Sequence, residues 1–304
     1  MLKNFSLTVL AVAVTTFSAN AQVTLDLIEG SDDPTVLLTA ALLAPTSGIT
    51  IVGTPVYQGA IGDGTNPNTA QSATFTDLNF APSSGSTPTL SLSEGILLTS
   101  GSANLPSTNT VNQFNAFFPG SGSNALLSAL AGSNTNDANA LSFEFTVGAD
   151  ITSISAAFVF GTDEFPTQSV TDIFGFFVDG VNYAKFPTGE LISNTPGSPT
   201  NFISNPTGAG LYPIEYNGLT QLFSVVGILD DSLATHTLTI ALADTSDSIF
   251  DSGVFIGGLK SGTATGGGGI GTDPDPNKVP DAGSTATLLG LVAIGFVFLR
   301  RKLS

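Results

Sequence analysis

Six acidic side chains fall where predicted strands end or begin. Asp163 and Glu164 follow one, Asp172 precedes the next, and Asp244, Asp247 and Asp251 fill the stretch LADTSDSIFDSGVFI (242–256) between two apolar runs. Carboxylates with loop carbonyls and amides, and without cysteine, form the oxygen-rich ligand set of a hard cation such as Ca2+. The chain has no Cys and a single His, so zinc lacks its usual ligands. If these loops converge at one end of a β-sandwich, their mutual repulsion demands either protonation or a counter-ion. Calcium is therefore the expected cofactor, with all six carboxylates as candidate ligands. Two other readings stay open: a solvated rim whose Asp and Ser residues only shape turns, and an acid/base pair for glycoside hydrolysis, Asp163 or Glu164 with Asp244 or Asp251. The absence of Trp and the presence of only four Tyr argue against a sugar-cleaving cleft.

Nucleophilic catalysis has less to work with. No G-x-S-x-G elbow precedes a helix. The only histidine, His236, shares the strand phase of Leu238, Ile240 and Leu242 and reads as a structural, hydrogen-bonded residue. Two further motifs lack their context: Gly266-x-Gly268-x-x-Gly271 has no strand-loop-helix around it, and Asp273-x-Asp275-x-Asn277 is interrupted by prolines and lacks the turn glycine of a calcium loop. The expectation is a protein without enzymatic activity.

The elements that must position these residues read as strands. Leu141, Phe143, Phe145 and Val147 alternate with Ser142, Glu144 and Thr146, and Ile154, Ala156, Phe158 and Phe160 repeat the period of a half-buried strand. Phe174–Val178 is a Phe-rich strand, followed by Asp179-Gly180, a strong hairpin signal. Thr235–Leu242 alternates again. Helical pattern is confined to Thr35–Leu43 and Asn124–Ala131. Fold class is thus all-β: an antiparallel, jelly-roll-like β-sandwich with one or two short helices, spanning residues 34–260.

Both ends carry targeting chemistry. Residues 1–21 combine Lys3, an apolar run and a small-x-small site at Ala19 and Ala21, the pattern of a signal peptide with a mature start at Gln22. Residues 261–278 are Gly/Pro-rich, as in a spacer. Residues 279–304 open with Val279, Pro280, Asp281, Ala282 and Gly283, continue through an apolar transmembrane helix over 286–299, and close with Arg300, Arg301 and Lys302. This layout predicts export, followed by membrane attachment with a cytoplasmic basic tail. Between Gln22 and Pro280, three lysines against 23 carboxylates leave a formal charge of −20. Such a surface repels nucleic acid and anionic lipid, so neither DNA nor RNA is a partner.

The VPDAG pentapeptide, the short glycine-bearing helix and the Arg pair resemble the PEP-CTERM class of bacterial sorting signals, in its VPDSG variety; Ala282 stands where that variety usually has Ser. The resemblance implies an exosortase-type sorting protease as partner, in a Gram-negative bacterium that makes exopolysaccharide. Five ordered blocks, SEGILLTSG (93–101), DANALSFEF (137–145), AFVFGTDEFP (157–166), TDIFGFFV (171–178) and LADTSDSIFDSGVFI, are similar to the choice-of-anchor L domain. Phe165 is a departure, since that family more often has Tyr there. The resemblance implies an extracellular β-rich domain carried on a surface anchor, with no transferable catalytic activity. The function expected is that of an exported, surface-anchored or sorted protein of the cell envelope or extracellular matrix, in adhesion or exopolysaccharide association. The alternative is a glycan-active module, a lectin or a carboxylate-dependent hydrolase.

Overall fold

Alternating side chains from two antiparallel sheets meet in one interior. The computed structural model describes residues 23–82, 87–112, 114, 121–166, 172–193, 201–208, 211–265 and 268–271. The five-stranded sheet runs β2 (Ile49–Gln58), β5 (Thr135–Val147), β12 (His236–Thr245), β7 (Ile173–Val178), β8 (Val181–Asn182). The nine-stranded sheet runs β1 (Thr24–Leu27), β3 (Ser72–Phe80), β4 (Leu90–Thr99), β13 (Ser252–Gly262), β6 (Ser153–Thr162), β10 (Gly218–Thr220), β9 (Phe202–Ser204). In that sheet β11 (Phe223–Ile228) also pairs with β6, and β14 (Gly269–Gly271) pairs with β11.

Leu141, Phe143 and Phe145 face Phe158, Phe160, Val254 and Ile256 in the interior between the sheets. The Phe158 and Phe174 rings meet across it at 5.1 Å. Full burial of a Phe, Leu or Ile contributes roughly 1.5–3 kcal/mol, so this interior is the main source of stability. β7 is buried on both faces because α2 (Ala125–Ala131) covers its outer side: Leu127 packs near Phe177, Ala140 and Ala241. The outer face of the larger sheet is covered in turn by Tyr212, Ile214 and Tyr216, which pack with Phe75, Leu97 and Phe255.

Local chemistry sets the ends of the helices. Asp33 caps α1 (Pro34–Leu42) by accepting from Thr35 N at 2.9 Å, with Pro34 in the first turn. Asn124 does the same for α2, which stops at Gly132 in the left-handed region. The β7–β8 hairpin turns on Asp179 (φ 51°) and Gly180 (φ 79°), the two positive φ values of a type I′ turn.

Three expectations change in detail. The strand predicted to end at Leu242 continues to Thr245, so Asp244 lies in β12 and not in the loop. β1 precedes the expected start of the domain, and β14 lies inside the expected spacer, with Ile270 packed against the main core. Strands of three or four residues, one of them largely Gly, carry too little periodicity to be read from sequence. Among the described residues no helix is long and apolar enough to cross a membrane. The signal peptide and its cleavage site at Ala19, Ala21 and Gln22, the transmembrane helix, and the motif Val279, Pro280, Asp281, Ala282 and Gly283 lie outside the described residues.

Candidate functional site

The chain crosses from one sheet to the other between β6 and β7 and again between β12 and β13, and both crossings lie at the same end of the sandwich. The two loops touch: Asp163 N donates to the carbonyl of Asp251 at 3.1 Å. The end of β4 is tied in through Ser100, whose N–H donates to Ser252 O at 2.9 Å and whose hydroxyl accepts from Ser252 N at 3.0 Å. Asp163, Glu164, Asp172, Asp244 and Asp251 are all buried there, none more than 2% exposed. Asp247, half-buried, sits in the loop between Ser246 and Phe250, two non-glycine residues with positive φ.

The acidic end falls into two groups by the neighbours its carboxylates meet, with Asp163 and Glu164 diverging in the bend just after β6. Asp163 turns toward the outer side of the nine-stranded sheet, where it accepts from Asn217 N at 2.9 Å and Phe114 N at 3.0 Å. Beside it Glu215, wholly buried, accepts from Val111 N at 3.0 Å and from the Thr110 hydroxyl at 2.7 Å. Burial, with the Glu215 charge as a smaller contribution, pushes Asp163 up to about 8 against the pull of its two N–H donors. Tyr216 lies over the cross-strand glycine pair Gly161 and Gly253; a Cβ on Gly161 would stand 2.3 Å from its ring. Its buried hydroxyl has no hydrogen-bond partner. Gly101 is required for a similar reason: a Cβ there would stand 1.6 Å from the Asp251 carboxylate.

Asp172 and Asp244 form the inner group. β7 and β12 pair through Ile173 and Ala243, so these two carboxylates face each other one residue beyond the last paired position. Both are 1% exposed, and none of their four oxygens accepts a hydrogen bond. Like charges directly opposite on neighbouring strands repel, and burial of an unpaired carboxylate raises its pKa. Asp172 is accordingly pushed well above the carboxylate range by burial and then by Asp244, and Asp244 is pushed up to about 8 by burial first. The Ser252 hydroxyl is near enough to favour the charged form of Asp172, and the Ser100 hydroxyl does the same for Asp244, yet neither completes a hydrogen bond to them. Glu164 belongs with this group: burial raises it to about 8, with Asp247 and Asp244 adding to the effect. Burial also raises Asp247.

Five participants were not singled out by sequence reasoning. Asp137 adopts φ 48° where β5 carries an extra residue opposite β12, and its charge raises Asp244. Its left-handed backbone is one that Asp tolerates, but nothing in its spacing signals a bulge. Glu215 and Tyr216 lie in a segment without strand periodicity, and Ser100 and Ser252 look like ordinary turn residues. The blocks SEGILLTSG and DANALSFEF were the available signal, since each ends or begins at this seam.

His236 lies at the opposite end. Its Nδ1 is 2.8 Å from Asp179 Oδ2, and Asp179 also accepts from Thr237 N at 2.9 Å and Asp230 N at 3.1 Å. A cavity of about 310 Å³ opens beside it, lined by Ile151, Leu229, Leu233 and Asp231 among others.

Chemically, the acidic end can hold protons or a cation; its buried carboxylates are closed to a polymeric substrate. Among the described residues no three His, Asp or Glu side chains stand as a ready metal-binding group. A cation there would draw on two carboxylates and on neutral oxygens such as hydroxyls and carbonyls.

No curated protein and no solved structure matches the chain. Family comparison does match: residues 59–260 fit the choice-of-anchor L domain, and residues 278–303 fit the VPDSG-CTERM motif. The sorting motif implies export to the cell surface and processing by a sorting protease such as an exosortase. With the matched domain covering more than half of its length, the chain belongs to the choice-of-anchor L domain family.

Proposed function

We propose that the folded domain works outside the cell as a non-enzymatic module, in adhesion or exopolysaccharide association, with calcium as the structural ion of its acidic seam. The observation that supports this most is the sorting motif at 278–303 behind a domain whose seam carboxylates Asp163, Glu164, Asp172, Asp244 and Asp251 are closed to solvent. Glycoside hydrolysis needs an acid and a base that reach the scissile bond; Asp163, Glu164, Asp244 and Asp251 are at most 2% exposed. The signal peptide exports the chain, the apolar segment 286–299 holds it in the membrane until sorting, and its negative charge keeps the head soluble and away from anionic lipid.

Mass spectrometry of the protein recovered from the envelope and the medium tests the sorting step. The expected C-terminus falls within 278–303; a chain ending at Ser304 in both fractions sinks that step. Co-sedimentation with exopolysaccharide tests the association, with retention expected and no release of reducing ends. Reducing ends that appear with the protein and vanish with Asp251→Asn would overturn the non-enzymatic reading.

A further inference from the structure

Three buried carboxylates of this fold are each given donors. Asp163 and Glu215 receive backbone N–H groups, and Asp179 receives two of these and a histidine. Asp172 and Asp244, as deeply buried as any of them, receive none. A second observation points the same way: the Ser252 hydroxyl, also wholly buried, lies toward Asp172 yet completes no well-aligned hydrogen bond to it or to any other group. Two carboxylates and a hydroxyl that lie within reach of one another but complete no well-aligned hydrogen bond, in a seam sealed from solvent, leave room in their coordination for a ligand that accepts oxygen lone pairs.

We propose that one calcium ion binds between the Asp172 and Asp244 carboxylates, takes the Ser252 and Ser100 hydroxyls as further ligands, and clamps the two sheets together at their acidic end. The assignment rests on the calcium reading of the seam and narrows it from six carboxylates to two. Asp172 and Asp244 belong to the five-stranded sheet, whereas Ser100 and Ser252 lie at the ends of β4 and β13 in the nine-stranded sheet. Two negative charges against one divalent ion make the buried unit neutral, which removes the penalty of leaving charges unpaired. All the donors are oxygens, which disfavours zinc. Calcium tolerates irregular shells and bidentate carboxylates, while magnesium demands a near-ideal octahedron and retains water. Glu164 and Asp247 add negative potential next to the ion, and Asp163 faces away.

The test uses the full-length chain. Metal analysis after gel filtration without added calcium is expected to find one calcium per chain, and chelator is expected to lower Tm by about 10 °C. No bound calcium and no shift in Tm would overturn the calcium reading and this assignment together. The double variant Asp172→Asn/Asp244→Asn is expected to lose the ion and the response to chelator, whereas Asp163→Asn keeps both. Calcium retained by the double variant would overturn the assignment while the calcium reading stands. Should the double variant fail to fold, terbium decides in the unaltered chain. Tyr216, whose phenol feels the Asp172 charge, is expected to sensitise the emission of one bound terbium that calcium displaces; a chain that gives no tyrosine-sensitised emission refutes the site.

Discussion

The two ends of the sandwich bury carboxylates in opposite ways. At the histidine end, Asp179 is matched by His236 and two backbone N–H groups. At the acidic end, Asp172 and Asp244 face each other across β7 and β12 with no donor. Depth does not separate them, since the side chains at both ends are nearly inaccessible. Supply of partners does. A carboxylate that meets a histidine and N–H groups is a structural joint; a buried one without donors is a demand for a proton or a cation, and at Asp163 burial outweighs even two donors. The chain's scarcity of lysine makes the contrast sharper, because only an external charge can meet that demand.

The largest effect that would test this contrast is the pH dependence of stability in chelator. Burial raises Asp163, Glu164 and Asp244 to about 8 in the folded chain, whereas the unfolded chain titrates them near 4. Between those values the folded state holds protons that the unfolded state has released. Stability from these groups is therefore fully present below about pH 4 and falls as pH rises to about 8. Asp33 and Asp63, lowered by hydrogen bonds in their own turns, act in the opposite sense, and only below about pH 4. Urea midpoints across this range read the slope; a flat or rising profile would remove the distinction between the ends. Saturating calcium is expected to remove the part of the fall that its ligands Asp172 and Asp244 contribute, by holding them ionised, and to leave the part due to Asp163.

Next in size is Asp179→Ala. It leaves a buried histidine without its partner and frees two N–H groups that water can reach, and losing hydrogen bonds to a charged group costs about 1.5–3 kcal/mol. Denaturation with and without chelator is expected to show the same loss, because this joint owes nothing to an ion. A loss that appears only in chelator would mean that the two ends are coupled.

What could be read from sequence divides along the same line. The strands of the main interior were legible because Leu141, Phe143 and Phe145 alternate, and the Asp179-Gly180 turn announced its hairpin. The acidic end was legible as a set of residues, since Asp163, Glu164, Asp172, Asp244 and Asp251 flank strand ends, and the structure brings their loops into contact. Its division was not legible. Asp163 and Glu164 are sequence neighbours that the bend after β6 sends to different surroundings, and Asp244 counted as a loop residue until β12 proved to extend through it. The donors that separate the satisfied carboxylates from the unsatisfied ones come from Asn217, Phe114, Thr110 and Val111, distant segments whose approach no local pattern encodes.

A smaller effect of opposite sign is expected from Asp172→Asn and Asp244→Asn. In chelator above about pH 8, where burial no longer keeps Asp244 protonated, each single variant removes one titrating member of the facing pair and supplies an amide donor to the other, so stability should rise by about 1–2 kcal/mol. In calcium the same variants should be destabilised relative to the parent, because the ion loses a charged ligand. A fall in chelator would show that the pair is already satisfied by a shared proton.

The smallest effect comes from Ser252→Ala, and it discriminates most finely. The Ser252 hydroxyl is buried without a hydrogen bond, so exchanging it for hydrogen removes a desolvated polar group at little loss of volume. Its backbone N–H keeps the Ser100 hydroxyl, so the tie between β4 and β13 survives. In chelator the variant should match or slightly exceed the parent, within about 1 kcal/mol. If the hydroxyl is a ligand, calcium titration should show weaker binding, and the gain in Tm on adding calcium should shrink while the chelated Tm stays put. An unchanged calcium affinity would leave Asp172, Asp244 and Ser100 as the ion's candidate ligands and remove Ser252 from the clamp. A large loss in chelator would mean that the hydroxyl already serves the metal-free fold, and the acidic end would then differ from the histidine end in degree alone.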